Sequence, residues 1–409
     1  MSSTMKLQHP EAAPAELHGW RTLPLRRVLA GVTHGSLDVT MPDGRRVVHR
    51  AARPGPEAVV RLHRWRALRR LVLGGDVAFA EAYGDGDWSS PDLAAVVELA
   101  GVNGQAFDRR VGATLLWRLA NRFGHLRRAN TREGAARNII AHYDLGNDFF
   151  AAWLDGGMTY SSGIHDDADT TLEQAQAAKQ ARAAALLAPA AGQRVLEIGI
   201  GWGGLAEHLL TRHDVDFTGI TLSAEQLAWA RARLADGGHA ARLLLQDYRD
   251  VAGQFDRIVS IEMLEAVGEA YWPVFFRTLR DRLAPGGVAV LQVITIADER
   301  FAAYRRGADF IQRHIFPGGM LPTVGIIGRE AAAAGLRLDH EERFGASYAR
   351  TLADWQRRFL DARPTLLRLG YDERFLRLWQ YYLAYCEGGF RAGAIDVGLY
   401  RLRHAGMAA

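Results

Sequence analysis

Val195-Leu196-Glu197-Ile198-Gly199-Ile200-Gly201-Trp202-Gly203-Gly204 is the stretch on which the fold turns. It reads as a strand that runs into a glycine turn and then a helix. The glycines permit tight dihedrals and let a ligand approach the backbone closely. Working outward, short β-rich runs alternate with amphipathic helical stretches. They predict strands at Arg194–Gly199, Asp216–Thr221, Ala241–Gln246, Phe255–Glu262, Gly287–Thr295, Leu336–Phe344 and Ile395–Arg403. Seven strands in that alternation suit an α/β, doubly wound sheet. The helical stretch from Asp298 to Phe316 breaks the alternation and is expected to be an insertion over a ligand site.

The N-terminal third has another texture. Residues 1–20 are rich in Ala, Pro and Glu and are expected to be poorly ordered. Between Val28 and Val48 a β-hairpin is predicted around Pro42-Asp43-Gly44. A basic helix follows at Arg61–Leu73, then a helix at Phe79–Tyr83 that ends in the Gly84–Trp88 turn. Helices are also predicted at 91–101 and 107–128. The second has Val111, Leu115, Leu119, Phe123 and Leu126 on one side and Arg110, Arg118, Arg122 and Arg128 elsewhere. Such a stripe packs into a domain core more often than onto a membrane. Polar residues from Asn130 to Gly134 read as a linker. The predicted division is a disordered 1–20, a mostly helical domain at 21–129, a linker at 130–141 and the α/β domain at 142–409.

Composition narrows the function classes. Residues 1–141 hold 21 Lys and Arg against 13 Asp and Glu, while the remainder holds 29 against 33. The positive N-terminal third is suited to an anionic partner, whether nucleic acid or a lipid surface. Only Lys6 and Lys179 are lysines, so Arg carries almost all the positive charge. Cys386 is the lone cysteine, which excludes a disulfide framework and a Cys-rich metal site and fits a reducing compartment. No metal is expected. The first thirty residues lack the apolar core of a signal peptide, and no apolar run has bilayer-spanning length, so membrane contact is expected to be peripheral.

Two details of the glycine turn favour S-adenosylmethionine (SAM) over a dinucleotide. Glu197 precedes the first glycine, where methyltransferases commonly place a carboxylate near the amino-acid end of SAM. The next strand ends in Gly219-Ile220-Thr221-Leu222-Ser223, without the acidic residue expected to hold an NAD ribose. Upstream, His142-Tyr143-Asp144-Leu145-Gly146-Asn147 and Met158-Thr159-Tyr160-Ser161-Ser162-Gly163 bring tyrosines and hydroxyls suited to closing over a sulfonium. Phe149 and Phe150 read as ordinary core aromatics.

Taken together, these segments resemble the cyclopropane fatty acid synthase family, which includes mycolic acid cyclopropane synthases and fatty acid methyltransferases. The resemblance runs from about Asp76 to Arg403. Further matches are Gln246-Asp247-Tyr248-Arg249-Asp250, Ser260-Ile261-Glu262-Met263-Leu264-Glu265, Phe310-Ile311 through Ile315-Phe316-Pro317-Gly318-Gly319, Tyr348-Ala349-Arg350-Thr351-Leu352, and Tyr381-Tyr382-Leu383 through Phe390-Arg391. It implies a Rossmann-like methyltransferase domain with SAM contacts from Tyr143, Tyr160, Ser161, Gly199, Gly201, Thr221, Gln226, Asp247 and Tyr248, alongside Glu197. It also implies a bicarbonate base held by a cysteine, a glutamate, a histidine and a tyrosine. Glu265 and Tyr348 match the glutamate and tyrosine, whereas Ser162 stands for the cysteine and Gln292 for the histidine. Serine and amide groups still hydrogen-bond an oxyanion, which keeps bicarbonate as the expectation.

The implied reaction methylates the cis double bond of an unsaturated phospholipid acyl chain through a carbocation. Proton loss then gives a cyclopropane or, after a hydride shift, a methylene that a separate reductase converts to a methyl branch. Cyclopropane synthases tend to have histidine at the position of Ala266; with Ser162 and Gln292, its absence makes methylene formation a close competitor of the ring. Phe310, Ile311, Ile315, Phe316 and Met320 are candidates to line the acyl tunnel within an insertion at about 298–322. The N-terminal domain is expected to present the acyl chain or dock on anionic lipid at the inner face of a cytoplasmic membrane, and the family suggests a homodimer. A nucleic-acid methyltransferase is disfavoured because no nucleic-acid recognition motif is present. A noncatalytic lipid-binding protein is disfavoured by the intact glycine turn.

Overall fold

The computed structural model describes residues 22–104 and 145–406, and the chain separates into two compact units, Met1–Thr114 and Leu115–Ala409. The predicted linker, Tyr143, and the stretch holding Arg110, Arg118, Arg122 and Arg128 lie outside the described residues.

In the N-terminal unit, α1 (Leu23–Gly31) precedes β1 (His34–Thr40), β2 (Arg46–Arg50) and β3 (Arg53–Leu62). α2 (Arg66–Gly84), β4 (Trp88–Ser89) and α3 (Leu93–Val102) follow. The hairpin forms where Pro42-Asp43-Gly44 predicts it, with β1 antiparallel to β2. β1 also pairs in parallel with β3, giving a four-stranded sheet of order β2-β1-β3-β4. Two local expectations are corrected. Val28 belongs to α1, not to a strand, and Arg61-Leu62 end β3, so the basic helix begins only at Arg66. Val60 and Leu62 are buried while Arg61 is exposed, the period-two pattern of a strand, and it outweighs the helical spacing of Leu62, Trp65 and Leu68.

In the C-terminal unit all seven predicted strands are present: β5 (Arg194–Ile198), β6 (Asp216–Thr221), β7 (Arg242–Leu245), β8 (Phe255–Ile261), β9 (Leu283–Ile296), β10 (Leu336–Arg343) and β11 (Ile395–His404). They form one sheet of order β10-β11-β9-β8-β5-β6-β7. β11 alone runs against its neighbours. The helices are α4 (Asn147–Ala151), α5 (Leu172–Leu187), α6 (Gly204–Arg212), α7 (Ala224–Asp236), α8 (Leu264–Val267), α9 (Trp272–Arg282), α10 (Asp298–Tyr304), α11 (Phe310–His314), α12 (Val324–Ala333), α13 (Gly345–Asp361), α14 (Arg363–Arg368) and α15 (Glu373–Arg391).

Successive residues of the central strands enter opposite cores. Leu196, Ile258, Leu291 and Tyr400 pack with Phe275, Phe276 and Leu279 of α9 and with Ile327 of α12. Val195, Val259, Val290 and Leu399 pack with Leu187 of α5, Leu209 of α6 and Ala230 of α7. Both faces of the sheet are therefore covered, which is why its parallel strands read as nearly continuous apolar runs. From β5 the chain goes to β6 and β7 on one side and then crosses to β8 and β9 on the other. That reversal opens a crevice at the carboxyl ends of β5 and β8, the usual ligand position of an open α/β sheet.

Candidate active site

The glycine turn lies in that crevice. Gly199, Gly201 and Gly203 have φ of +88°, +55° and +86°, the left-handed region that glycine adopts without strain. A Cβ on Gly199 would sit 3.3 Å from Met263 Cγ, and one on Gly203 would sit 3.2 Å from Ala230 Cβ, whereas Gly201 has open space over it. Glu197 and Ser161 are buried beside this region, and Glu197 Oε2 has no hydrogen-bond partner among the described residues. At the end of β6, Thr221 Oγ1 donates to Gln226 Oε1 at 3.0 Å. Asp247 is engaged by Arg249, whose Nε donates to Oδ1 at 2.8 Å. Burial raises the Tyr248 phenol to about 12, so it stays protonated at neutral pH.

Three of the four predicted catalytic residues, Ser162, Gln292 and Tyr348, come together around a carboxylate that the sequence reading did not single out. Glu262, one residue past β8, accepts from the Ser162 backbone N–H (2.9 Å) and Gln292 Nε2 (2.7 Å) on Oε1, and from the Tyr348 hydroxyl (2.7 Å) on Oε2. These donors belong to residues expected around bicarbonate. Ser162 contributes its amide, because its hydroxyl donates to Gly163 O. Gln292 is fully buried on β9, opposite Ile261 and Leu399. Glu262 has φ +50°, a left-handed conformation that costs a side-chain-bearing residue about 1–3 kcal/mol and is concentrated at functional sites. Burial is the largest influence on its carboxyl and raises the pKa, against the opposing effects of the Ser162, Tyr348 and Gln292 bonds and the Lys179 charge.

Glu265 accepts from Ile294 N at 2.5 Å through Oε1, its Oε2 is buried with no hydrogen-bond partner among the described residues, and its backbone carbonyl accepts from Met320 N at 2.8 Å. It thus ties α8 to β9 and to the end of the insertion. Burial, and then the nearby Glu262 charge, push its carboxyl up to about 8.

One wall of the crevice is aromatic. Tyr160 and Tyr382 share a 2.7 Å hydrogen bond between their hydroxyls. Tyr348 lies against Phe390 at 4.6 Å, and Trp355 lies against both Tyr160 and Tyr348. Phe150 and Trp153 back Tyr160. Each such pair contributes about 0.5–1.5 kcal/mol beyond area burial and limits rotation of the rings. Phe310, Ile315 and Met320 of the insertion are buried, and Phe316 reaches the ring of Tyr382 at 6.4 Å. Among the described residues no group of acidic, His or Cys side chains could hold a metal. No described helix is long and apolar enough to cross a membrane.

The two buried acids make stability depend on pH. Glu197 and Glu265, each raised from 4.5 to about 8, keep their protons in the folded chain at pH values where the unfolded chain loses them. The stability they contribute is full below about pH 4.5 and is lost as pH rises through about 8. Glu265→Gln mimics the protonated acid. Its cofactor-free form is expected to melt within about 1 °C of the parent at pH 5.5 and on the order of 3–5 °C higher at pH 8.5. A constant offset between the two melting curves across that range would contradict the shift.

A seven-stranded sheet with one reversed strand, a glycine turn closing β5 and a crevice beside it define the class of S-adenosylmethionine-dependent methyltransferases. The family model described as mycolic acid cyclopropane synthetase matches residues 130–399, and the chain belongs to that family. Tuberculostearic acid methyltransferase UfaA1 of Mycobacterium tuberculosis is 39% identical over 398 residues, covering 94% of this chain and 88% of that protein. The Escherichia coli cyclopropane-fatty-acyl-phospholipid synthase is 37% identical over 338 residues, 81% of this chain and 84% of that one. Among solved structures, mycolic acid cyclopropane synthase CmaA1 complexed with SAH and CTAB superposes with a TM-score of 0.62 at 31% identity, covering 65% of this chain and 97% of that one. The protein is accordingly a SAM-dependent enzyme of the fatty acid methyltransferase and cyclopropane synthase type.

Proposed function

We propose that this enzyme methylates the cis double bond of a monounsaturated acyl chain carried by a membrane phospholipid, and that Glu262 is the base that completes the reaction. The convergence of Ser162 N, Gln292 and Tyr348 on one half-buried carboxylate carries this reading. Those donors are already bonded to Glu262, so the cage is a poor fit for a separately bound bicarbonate, and no step is routed through one. The phospholipid substrate is supported by the Escherichia coli relative, a cyclopropane-fatty-acyl-phospholipid synthase.

SAM supplies an electrophilic methyl group, and the surrounding residues align it and exclude water. An alkene is a weak nucleophile, so alignment with the sulfonium and a dry crevice dominate the first step. The π electrons form the new C–C bond as the S–CH3 bond breaks, leaving a carbocation on the neighbouring carbon. The faces of Tyr160, Tyr348 and Phe390 stabilise positive charge there. A hydride shift moves the cation to the methyl-bearing carbon. The Glu262 carboxylate then takes a proton from the methyl group, and the C–H electron pair becomes an exocyclic double bond. A carboxylate with a raised pKa is the better proton acceptor. Glu265 and the Gln292 amide are positioning residues in this scheme, with Tyr348 fixing the orientation of Glu262. Ring closure by direct proton loss from the methyl group is the second reading, since one base can serve both. The methylene reading is favoured by Ala266 and by the relative named for tuberculostearic acid, which aligns over nearly the whole chain.

The test is incubation with SAM and phospholipids bearing monounsaturated chains, followed by mass spectrometry of the fatty acid methyl esters. The expected product is one CH2 heavier and takes up hydrogen on mild hydrogenation. A product of that mass that resists hydrogenation would establish the ring instead. Absence of any heavier product, with SAM binding demonstrated, would overturn the phospholipid assignment.

A further inference from the structure

Two lysines stand among 50 basic Lys and Arg residues, and one of them, Lys179, is buried to 2% exposure on α5. Its Nζ donates to Ser161 Oγ at 2.7 Å. Three residues earlier on the same helix face, the side-chain amide of Gln176 donates to the Ser161 carbonyl, also at 2.7 Å. Ser161 is therefore clamped at both its hydroxyl and its backbone. α5 itself is set by a capping box in which the Thr171 hydroxyl accepts from Gln174 N and the Gln174 side chain accepts from Thr171 N.

No carboxylate among the described residues lies within ion-pair distance of Nζ; Glu262, Asp155 and Glu197 act on it only from farther away. A buried charge is costly unless paired. Glu197, equally buried, has an oxygen without a partner and feels Lys179 without touching it. The chain thus fixes a cation behind Ser161 and leaves a second buried group, the Glu197 acid, with an unpartnered oxygen on the strand that leads into the cofactor turn. Hydrogen-bond stoichiometry completes the argument. Because Ser161 Oγ accepts from Nζ, its single proton must point elsewhere, and an anion in the cleft is the acceptor that gains most. A compact ammonium delivers this geometry; the wide planar fork of arginine does not, which accounts for a lysine in so arginine-rich a chain.

We propose that Lys179 is a positioning residue that presets Ser161 as the hydrogen-bond donor to the carboxylate of SAM, so that the site selects ligands carrying that carboxylate. The proposal rests on the cofactor site alone and stands whatever the acyl substrate proves to be.

The test compares two ligands by calorimetry: S-adenosylhomocysteine, which has the amino-acid carboxylate, and 5′-methylthioadenosine, which lacks it. Lys179→Met is expected to weaken S-adenosylhomocysteine binding about tenfold or more and to leave methylthioadenosine binding within about twofold. Ser161→Ala should give the same selective loss, and the double variant should lose little more than either single one. Equal weakening of both ligands would mean a merely structural lysine and overturn the proposal, as would unchanged S-adenosylhomocysteine binding. If Lys179→Met does not fold, Lys179→Gln and Ser161→Ala still decide. A parental ratio of the two affinities in Ser161→Ala is sufficient to overturn it, because Lys179 is argued to act through that hydroxyl.

Discussion

Glu262→Gln is expected to lower kcat by about 10²–10⁴-fold, the range lost when a general base is removed, while the affinity for S-adenosylhomocysteine stays within about twofold of the parent. The substitution keeps the size of the side chain and an acceptor oxygen, so the donors around it can still be served. It removes the ability to take a proton. Turnover measured beside ligand binding separates this from a folding defect. If methyl transfer becomes fast relative to proton removal, substrate methylated but diverted to other products should also accumulate. Glu265→Gln, whose parent side chain bonds a backbone amide outside the donor set of Glu262, is expected to cost clearly less turnover than Glu262→Gln. Parental turnover in Glu262→Gln would return the search for the base to a bound ion.

Gly201→Val is expected to weaken SAM binding on the order of 100-fold, equivalent to about 2.7 kcal/mol, with a smaller effect on stability. At Gly199 and Gly203 a side chain meets protein first, so loss of binding there would be mixed with disruption of packing. Gly201 differs because a side chain there would enter open space directly over the turn, where the family resemblance implies a SAM contact. Its φ of +55° adds some strain, but that strain is exposed equally by melting the cofactor-free protein. Unchanged SAM affinity in a folded Gly201→Val would mean that the cofactor does not pass over this residue.

Much of the C-terminal unit was legible because parallel strands buried on both faces leave apolar runs of strand length, and glycines mark where the chain must turn. The boundaries of β6 agree with expectation, and β9 begins four residues earlier than Gly287 because Leu283 already pairs with Phe255. The N-terminal sheet was read only as a hairpin. The partner of β1 in the second pairing is β3, and its strand pattern overlaps a helical one at Leu62. At the site, the residue types around the carboxylate were readable, but its identity was not. Glu262 and Glu265 stand three apart in one motif, and only the left-handed turn at Glu262 sends its side chain toward Ser162, Gln292 and Tyr348. A dihedral leaves no mark in composition. Lys179 was visible as an oddity of usage, yet its burial and its contact with Ser161 depend on the packing of α5 against a segment many residues away.

The left-handed backbone at Glu262 has a wider consequence. It is the conformation that glycine adopts without strain, so glycine at this position would keep the same chain path and the same three donors. Between them would remain a socket the size of a carboxylate, lined to receive a small diffusible anion. On the mechanism proposed above, a carboxylate carried by the chain and a small anion drawn from solution would be two fillings of one socket. The attached one would free the enzyme from the dissolved supply of that anion, at the expense of a base whose reach is fixed by the length of a single side chain.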